Sequence, residues 1–382
     1  MAPKKGKKII TEVTPSQDEI DRRKARSFIW FIFVPSSLIL DSHRPGETAL
    51  NTWSKAGFEK SFRVQFHLNE PLDSSFSLIG IDASIANAFR RILIAEIPTI
   101  AIENVFVHNN TSIIQDEVLA HRLGLVPLTG NPDGFKWINW IDKSDSSQGP
   151  ADYNTIVMKL SVECTWKEGV NKKTPGNDPE KLYNNSSVYA KQIVWDPVGR
   201  QVDRFPKPDG VVRAANPDIL LAKMRPGQAI ELEMHCIKGI GADHAKFSPV
   251  ATASYRLLPT IDIVKPIIGK EARKFARCFP LGVIRLEKIT EEEAQKEGSG
   301  YEGNAGEWKP VVQNTLKDTV SRECLRHDEF KDKVKLGRVR DHFIFSVEST
   351  GQFNSDTLFL ESVALLRLKC VNFKKDLQSI IR

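Results

Sequence analysis

Between residues 235 and 244 the chain places His235, Cys236, Asp243 and His244, side chains of the kinds that ligate metals or carry protons. Their spacing matches no tetrahedral site. On a strand, His235 and Cys236 also point to opposite faces, so the two cannot share a ligand. Each histidine therefore reads as structural. The intervening Gly239-Ile240-Gly241-Ala242-Asp243-His244 opens like a dinucleotide-binding turn, in which glycines let a pyrophosphate approach a helix N-terminus. His244 stands where the third glycine belongs, and SPVATASYRLLP follows in place of a clean helix. Arg90 and Arg91 could grip phosphate, but Ile94 sits between them on the same helical face, which suits a protein surface better. The five cysteines, Cys164, Cys236, Cys278, Cys324 and Cys370, are odd in number and widely spaced, with no C-x-x-C. That argues against a disulfide framework or structural zinc and for reduced thiols in a cytosolic or nuclear protein. No Walker A loop, H-E-x-x-H, G-x-S-x-G or magnesium-binding Asp cluster is present. The sequence thus predicts no catalytic residue, no cofactor and no metal.

Two helices must position what remains. Asp82 is a good N-cap and Pro98 forbids continuation, so a helix is predicted over Ala83–Ile97. Ile85, Ala88, Phe89, Ile92, Leu93 and Ala95 form its apolar stripe, while Asn87, Arg90, Arg91 and Ile94 form the opposite face. Such a helix meets its own core on one side and another protein on the other. Glu96 lies near the negative end of the helix dipole and requires a specific donor. The second helix opens at Asp356. Phe359, Val363, Leu366, Cys370, Phe373, Leu377 and Ile380 repeat there at four-three spacing, a seam suited to lying along another helix. Leu358, Leu365 and Leu368 flank the seam and predict burial on more than one side.

At 382 residues, 41% hydrophobic and 27% charged, the chain has the profile of a globular protein with more than one core. Residues 1–26 carry eight lysines and arginines against four acids, +4 of the net +6, and read as a disordered basic tail. The nearly neutral remainder is not the field of a protein that grips nucleic acid with its main surface. The apolar run Ser27–Leu40 is broken by Pro35-Ser36-Ser37 and is shorter than the roughly 20 residues that span a bilayer. It reads as a buried strand or as retained non-coding sequence. Residues 61–69, 76–81, 100–108, 154–165, 187–195, 229–238 and 342–347 are predicted strands. Gln115–Thr129 holds a short helix capped by Asp116 and stopped by a left-handed Gly124. Residues 131–227 alternate short β-rich runs with polar loops, as a β-containing insert would.

Three stretches, NAFRRILIAEIPTIAIE (Asn87–Glu103), DEVLAHRLGLVPL (Asp116–Leu128) and GIGADHAKFSPVATASYRLLP (Gly239–Pro259), resemble the alpha-like subunits of cellular RNA polymerases. The pattern is most similar to the large alpha-like subunits shared by RNA polymerases I and III, from about Phe58 to the C-terminus. The resemblance implies an α+β fold: a split dimerisation domain (58–104 and 229–382, sheet plus dimer-forming helices) interrupted by a β-rich insert domain (105–228), after an N-terminal tail over 1–57. It implies a dimer interface at Ile85, Phe89, Ile92, Phe359, Val363, Leu366, Cys370, Phe373 and Leu377, facing the smaller alpha-like subunit. Asn87, Arg90, Arg91 and Ile94 would face a large catalytic subunit, with small zinc-binding subunits alongside. The function implied is that of a non-catalytic scaffold for rRNA, 5S rRNA and tRNA synthesis in the nucleus, nucleolus and nucleoplasm, touching DNA only through the complex and no membrane. Thr129–Gly149 lacks the cysteine cluster that binds zinc in the RNA polymerase II relative, and Cys278 and Cys324 are too few for an iron–sulfur cluster. The rival readings are a nucleic-acid binder acting through the basic tail and an enzyme using the Gly239–His244 loop. Deleting residues 1–26 and testing the isolated His244→Ala chain separate them from the scaffold.

Overall fold

The computed structural model describes residues 54–141, 149–169, 178–206, 210–296 and 298–381; the basic tail and the apolar run at 27–40 lie outside them. The described chain begins with a helix, α1 (Lys55–Ser61), in place of the expected end of the tail. Ser54 caps it by accepting from the Gly57 N–H at 3.1 Å, and Phe58 stacks on Phe62 with ring centroids 5.1 Å apart. A hairpin of β1 (Arg63–Asn69) and β2 (Asp73–Ile79) follows. Gly80 then turns the chain at φ +81°, and a Cβ there would stand 2.8 Å from the Ser61 carbonyl oxygen. Only glycine fits so tight a crossing.

Helix α2 (Ala83–Ala95) is capped as expected, the Asp82 carboxylate accepting from the Ser84 N–H at 2.9 Å. It ends two residues before the predicted Ile97, because a residue preceding proline is driven out of the helical region. Strand β3 (Thr99–Asn110) leads to α3 (Asp116–Gly124). Here Gln115 is the capping position without a side-chain bond, and Asp116 instead accepts from the Asn110 amide at 2.6 Å. Gly124 is not left-handed; it is the last helical residue, passing the Ile102 carbonyl, which a Cβ would meet at 3.5 Å. Strands β4 (Ile156–Glu163), β5 (Val194–Asp196) and β6 (Ala229–Gly239) complete an antiparallel sheet in the order β3-β6-β4-β5. The predicted strand over 187–195 is broken in two. Gln192 bends its side chain back to accept the Tyr189 N–H at 2.9 Å, winding Ala190–Gln192 into a 3₁₀ turn.

Strand β7 (Val250–Ile263), helix α4 (Gly269–Arg277), strands β8 (Ile284–Lys288) and β9 (Trp308–Val312), and strand β10 (Val334–Ser349) follow. The chain closes with α5 (Ser355–Ile381), which starts one residue before the expected Asp356. Ser355 ties that start to the β1–β2 turn, its hydroxyl donating to the Glu70 carbonyl at 2.8 Å. The other main sheet has the order β1-β2-β10-β7, again antiparallel.

Apolar side chains collect into three main cores. Phe76, Leu78, Phe343 and Phe345 of the β1-β2-β10-β7 sheet pack under Phe89 and Ile92 of α2 and Phe359 and Val363 of α5. Ile102, Met158, Leu160, Leu232, Met234 and Cys236 build the second core, beneath α3. The segment after β7 has a core of its own around Phe275, Phe279, Cys324 and Phe330. Strands β7 and β10 pair over 14 and 16 residues, long enough for one end to serve the first core and the other the third. Strand β3 crosses the 104/105 division, and β6 pairs with it from Gly239↔Thr99 to Ile230↔Asn110.

Candidate functional site

The residues with the most chemical promise serve the fold. Cys236 faces the second core, where burial pushes its thiol up, while His235 lies on the other face against the Phe106 ring, 4.7 Å between centroids. Cys278 and Cys324 share the third core, and burial pushes the Cys324 thiol up to about 11. Thiols held protonated in this way are poor nucleophiles and poor ligands. Among the described residues no group of three or more His, Cys, Asp or Glu side chains could hold a metal. Likewise, among them no helix is long and apolar enough to cross a membrane.

The glycines of the Gly239–His244 loop answer to packing. A Cβ on Gly239 would fall 2.6 Å from the Phe247 ring, and one on Gly241 only 2.2 Å from the Ile94 carbonyl oxygen. The loop is pressed onto the end of α2, where the Ala242 N–H donates to the Ala95 carbonyl at 2.9 Å. His244 accepts the Lys246 N–H at 3.1 Å, and Lys246 reaches Glu103 and the Ile102 carbonyl at 2.5 and 2.8 Å. The HRLGL segment is read similarly. Arg122 donates to the carbonyls of Leu220 and Leu221, Leu123 fills the core, and His121 and Leu125 are left at the surface. The two segments meet across a cleft of about 260 Å³ lined by His121, Leu125, His244 and Lys246 among others.

On α2, the face opposite the core is where the sequence put it. Arg90 donates twice to the Asn87 amide oxygen, at 3.1 and 2.9 Å, which fixes its guanidinium along the helix. Arg91 is exposed, and Ile94 is 37% exposed in the next turn. Glu96 has its donor: Lys369 of α5 approaches its two carboxylate oxygens at 2.7 and 2.6 Å. Sequence reading identified the need but not the residue. The available signal was Lys369 itself, a cation on the flank of the heptad seam.

The seam divides along its length. Phe359 and Val363 are 2% and 0% exposed, with the Phe359 ring 4.6 Å from Phe76 and 5.4 Å from Phe89. Phe89 and Ile92 are each 1% exposed. These four residues of the expected dimer interface are spent inside the chain's own core, so they carry no surface for a partner. Ile85, Leu366 and Cys370 are half-buried at its margin. Beyond Cys370 the helix leaves the body, and Phe373, Leu377 and Ile380 are 66%, 42% and 79% exposed. Leu368, which the sequence assigned to the flank, is exposed as well. A contiguous apolar strip of this kind on a projecting helix marks an interaction site.

The family described as the RNA polymerase Rpb3/Rpb11 dimerisation domain matches residues 75–370. The chain is 49% identical over 326 residues to the DNA-directed RNA polymerases I and III subunit RPAC1 of Saccharomyces cerevisiae, covering 85% of this chain and 90% of that one. It is 45% identical over 331 residues to the human protein of the same name, with 86% and 88% covered. To the RNA polymerase II subunit rpb3 of Dictyostelium discoideum it is 29% identical over 310 residues, covering 78% and 89%. With the family matched over most of its length and relatives this similar, the chain belongs to the RNA polymerase Rpb3/Rpb11 dimerisation-domain family.

Proposed function

We propose that this chain is the non-catalytic scaffold subunit common to RNA polymerases I and III, and that it pairs with the smaller alpha-like subunit. The pair is the platform on which the two large catalytic subunits assemble, with the small zinc-binding subunits alongside. Nucleotide transfer belongs to the assembled enzyme, and DNA is met only through it. The observation that carries this reading is the outer half of α5, whose Phe373, Leu377 and Ile380 continue the heptad seam into open solvent. Burying each such side chain against a partner contributes about 1.5–3 kcal/mol. The dimer contact is accordingly Ile85, Leu366, Cys370, Phe373, Leu377 and Ile380, and Phe89, Ile92, Phe359 and Val363 support it from within. Arg91 and Ile94, with Arg90 held by Asn87, face a large subunit. The β3-β6-β4-β5 sheet with α3 is the insert, and the halves on either side of it form the split dimerisation domain. The work is nuclear, with rRNA synthesis in the nucleolus and 5S rRNA and tRNA synthesis in the nucleoplasm.

The test is the full-length Phe373→Asp/Leu377→Asp chain, produced together with the smaller alpha-like subunit. Loss of co-purification with an unchanged unfolding temperature is expected. Normal recovery of the pair overturns the seam. Affinity purification of the native chain checks the assignment to polymerases I and III, which recovery of RNA polymerase II subunits in their place would refute.

A further inference from the structure

The segment that builds the third core carries the positive charge of the body. Residues 264–340 hold 17 lysines and arginines against 13 acids, +4, where the whole chain after residue 26 is +2. Helix α4 concentrates that charge. Lys270, Arg273, Lys274 and Arg277 stand at i, i+3, i+4 and i+7, within an arc of about 100°, and they are the exposed residues of the helix. Ala272 and Phe275, on its other side, fill the third core. Acids answer only part of the face. Glu329 pairs with Lys274 at 2.6 Å, Glu271 is taken by Lys333 at 2.5 Å, and the Glu307 carboxylate lies beside Gly269 at the helix start. Among the described residues Lys270, Arg273 and Arg277 make no ion pair. The Arg273 guanidinium and the Lys288 ammonium lie over the Trp308 ring, 5.8 and 5.7 Å from its centroid, so the basic face continues onto β8.

This arrangement works against the helix that bears it. Lys270 and Lys274, and Arg273 and Arg277, are like charges one turn apart, and Lys270 opposes the positive end of the helix dipole. A bound polyanion relieves both. No exposed position of α4 is apolar, unlike the centre of a protein interface. Trp308 is half-buried with its ring given to Arg273 and Lys288, so it offers no platform on which the bases of a single strand could stack. Cations spread over about 10.5 Å of rigid helix suit the phosphates of a duplex. We propose that the outer face of α4 lies against the sugar-phosphate backbone of a DNA duplex, a contact without sequence preference. On the function proposed above it is made as part of the assembled enzyme, and it does not depend on the α5 seam.

Titration of a labelled DNA duplex of arbitrary sequence with the full-length chain, between about 50 and 200 mM NaCl, tests it. Each phosphate contact contributes about 0.9 to the slope of log affinity against log salt. Lys270→Ala/Arg273→Ala/Arg277→Ala should therefore flatten the slope by about 2.7 and bind at least roughly tenfold more weakly at the lower salt. Arg273→Lys/Arg277→Lys keeps the charge and should keep the slope. An unchanged slope in the alanine variant overturns the proposal, and so does an equal loss in the lysine variant. Deleting residues 1–26 from both the unaltered and the alanine chain separates the basic tail from α4. The difference between the two chains should survive the deletion; if it vanishes, the tail alone holds DNA and the proposal falls. Single-stranded RNA or polyglutamate bound through α4 more tightly than the duplex would assign the face to that partner and overturn the duplex.

Discussion

Phe359 and Phe373 occupy equivalent positions of one heptad repeat, two turns apart per step, and the same substitution should give opposite phenotypes. Phe359 lies within 4.6 Å of Phe76 and 5.4 Å of Phe89, ring to ring, and is 2% exposed. Phe359→Ala removes that contact and leaves a cavity that the sheet and α2 cannot both close. A buried phenylalanine truncated this way costs about 3–5 kcal/mol, a large part of the roughly 5–15 kcal/mol that holds a typical domain folded. Phe373 is 66% exposed in the isolated chain, so Phe373→Ala should stay within about 0.5 kcal/mol of the parent. If the proposed pairing with the smaller alpha-like subunit holds, Phe373 is an anchor of it, and its loss should weaken binding by about 30-fold, or about 2 kcal/mol. Urea unfolding of each isolated chain, followed by circular dichroism, gives the first quantity, and titration with the partner gives the second. The reasoning is refuted if Phe373→Ala destabilises the isolated chain by more than about 1 kcal/mol. It is equally refuted if Phe359→Ala leaves stability untouched, because the boundary between internal and free seam would then be misplaced.

Gly241→Ala must push its methyl against the Ile94 carbonyl, 2.2 Å away. The variant should unfold about 1–3 kcal/mol earlier, read from its melting temperature, whereas Gly227→Ala, with nothing nearby but φ +90°, should show only backbone strain. His67 and His342 both bond the buried Ser77 hydroxyl, at 2.7 and 2.8 Å. Burial holds both imidazoles below their usual range, and for His67 the neighbouring His342 adds to the effect. The unfolded chain therefore binds protons more readily, and stability should be intact above the unfolded value near 6.5 and fall as pH drops below it. His67→Gln/His342→Gln should flatten the melting temperature between pH 7.5 and about pH 5.5; an unchanged slope would place the acid sensitivity elsewhere.

What could be read from the sequence was periodicity and local chemistry. The Asp82 cap, the stop before Pro98 and the alternation of Ile230, Leu232, Met234 and Cys236 depend on near neighbours, and the structure carries all of them. The third core depended on distant neighbours, Phe275 meeting Phe330 across 5.3 Å, and the local Gln192 turn is held in addition by a distant one, the Ala190 N–H donating to the Ile219 carbonyl. The α5 seam shows most clearly where the limit falls. A four-three repeat fixes which side chains share a face, because that follows from the helical turn alone. It is silent on what covers the face. Phe359 and Val363 are covered because β2 and β10, which hydrogen-bond to each other from opposite ends of the chain, bring Phe76 and Phe345 beneath them. That sheet gives out before Phe373, and the repeat does not. On the proposed function, a periodic apolar face that outlasts the core beneath it is surface for the partner. The point at which the two part company, near Leu366 and Cys370, is on that proposal the place where this chain stops folding onto itself and begins to assemble.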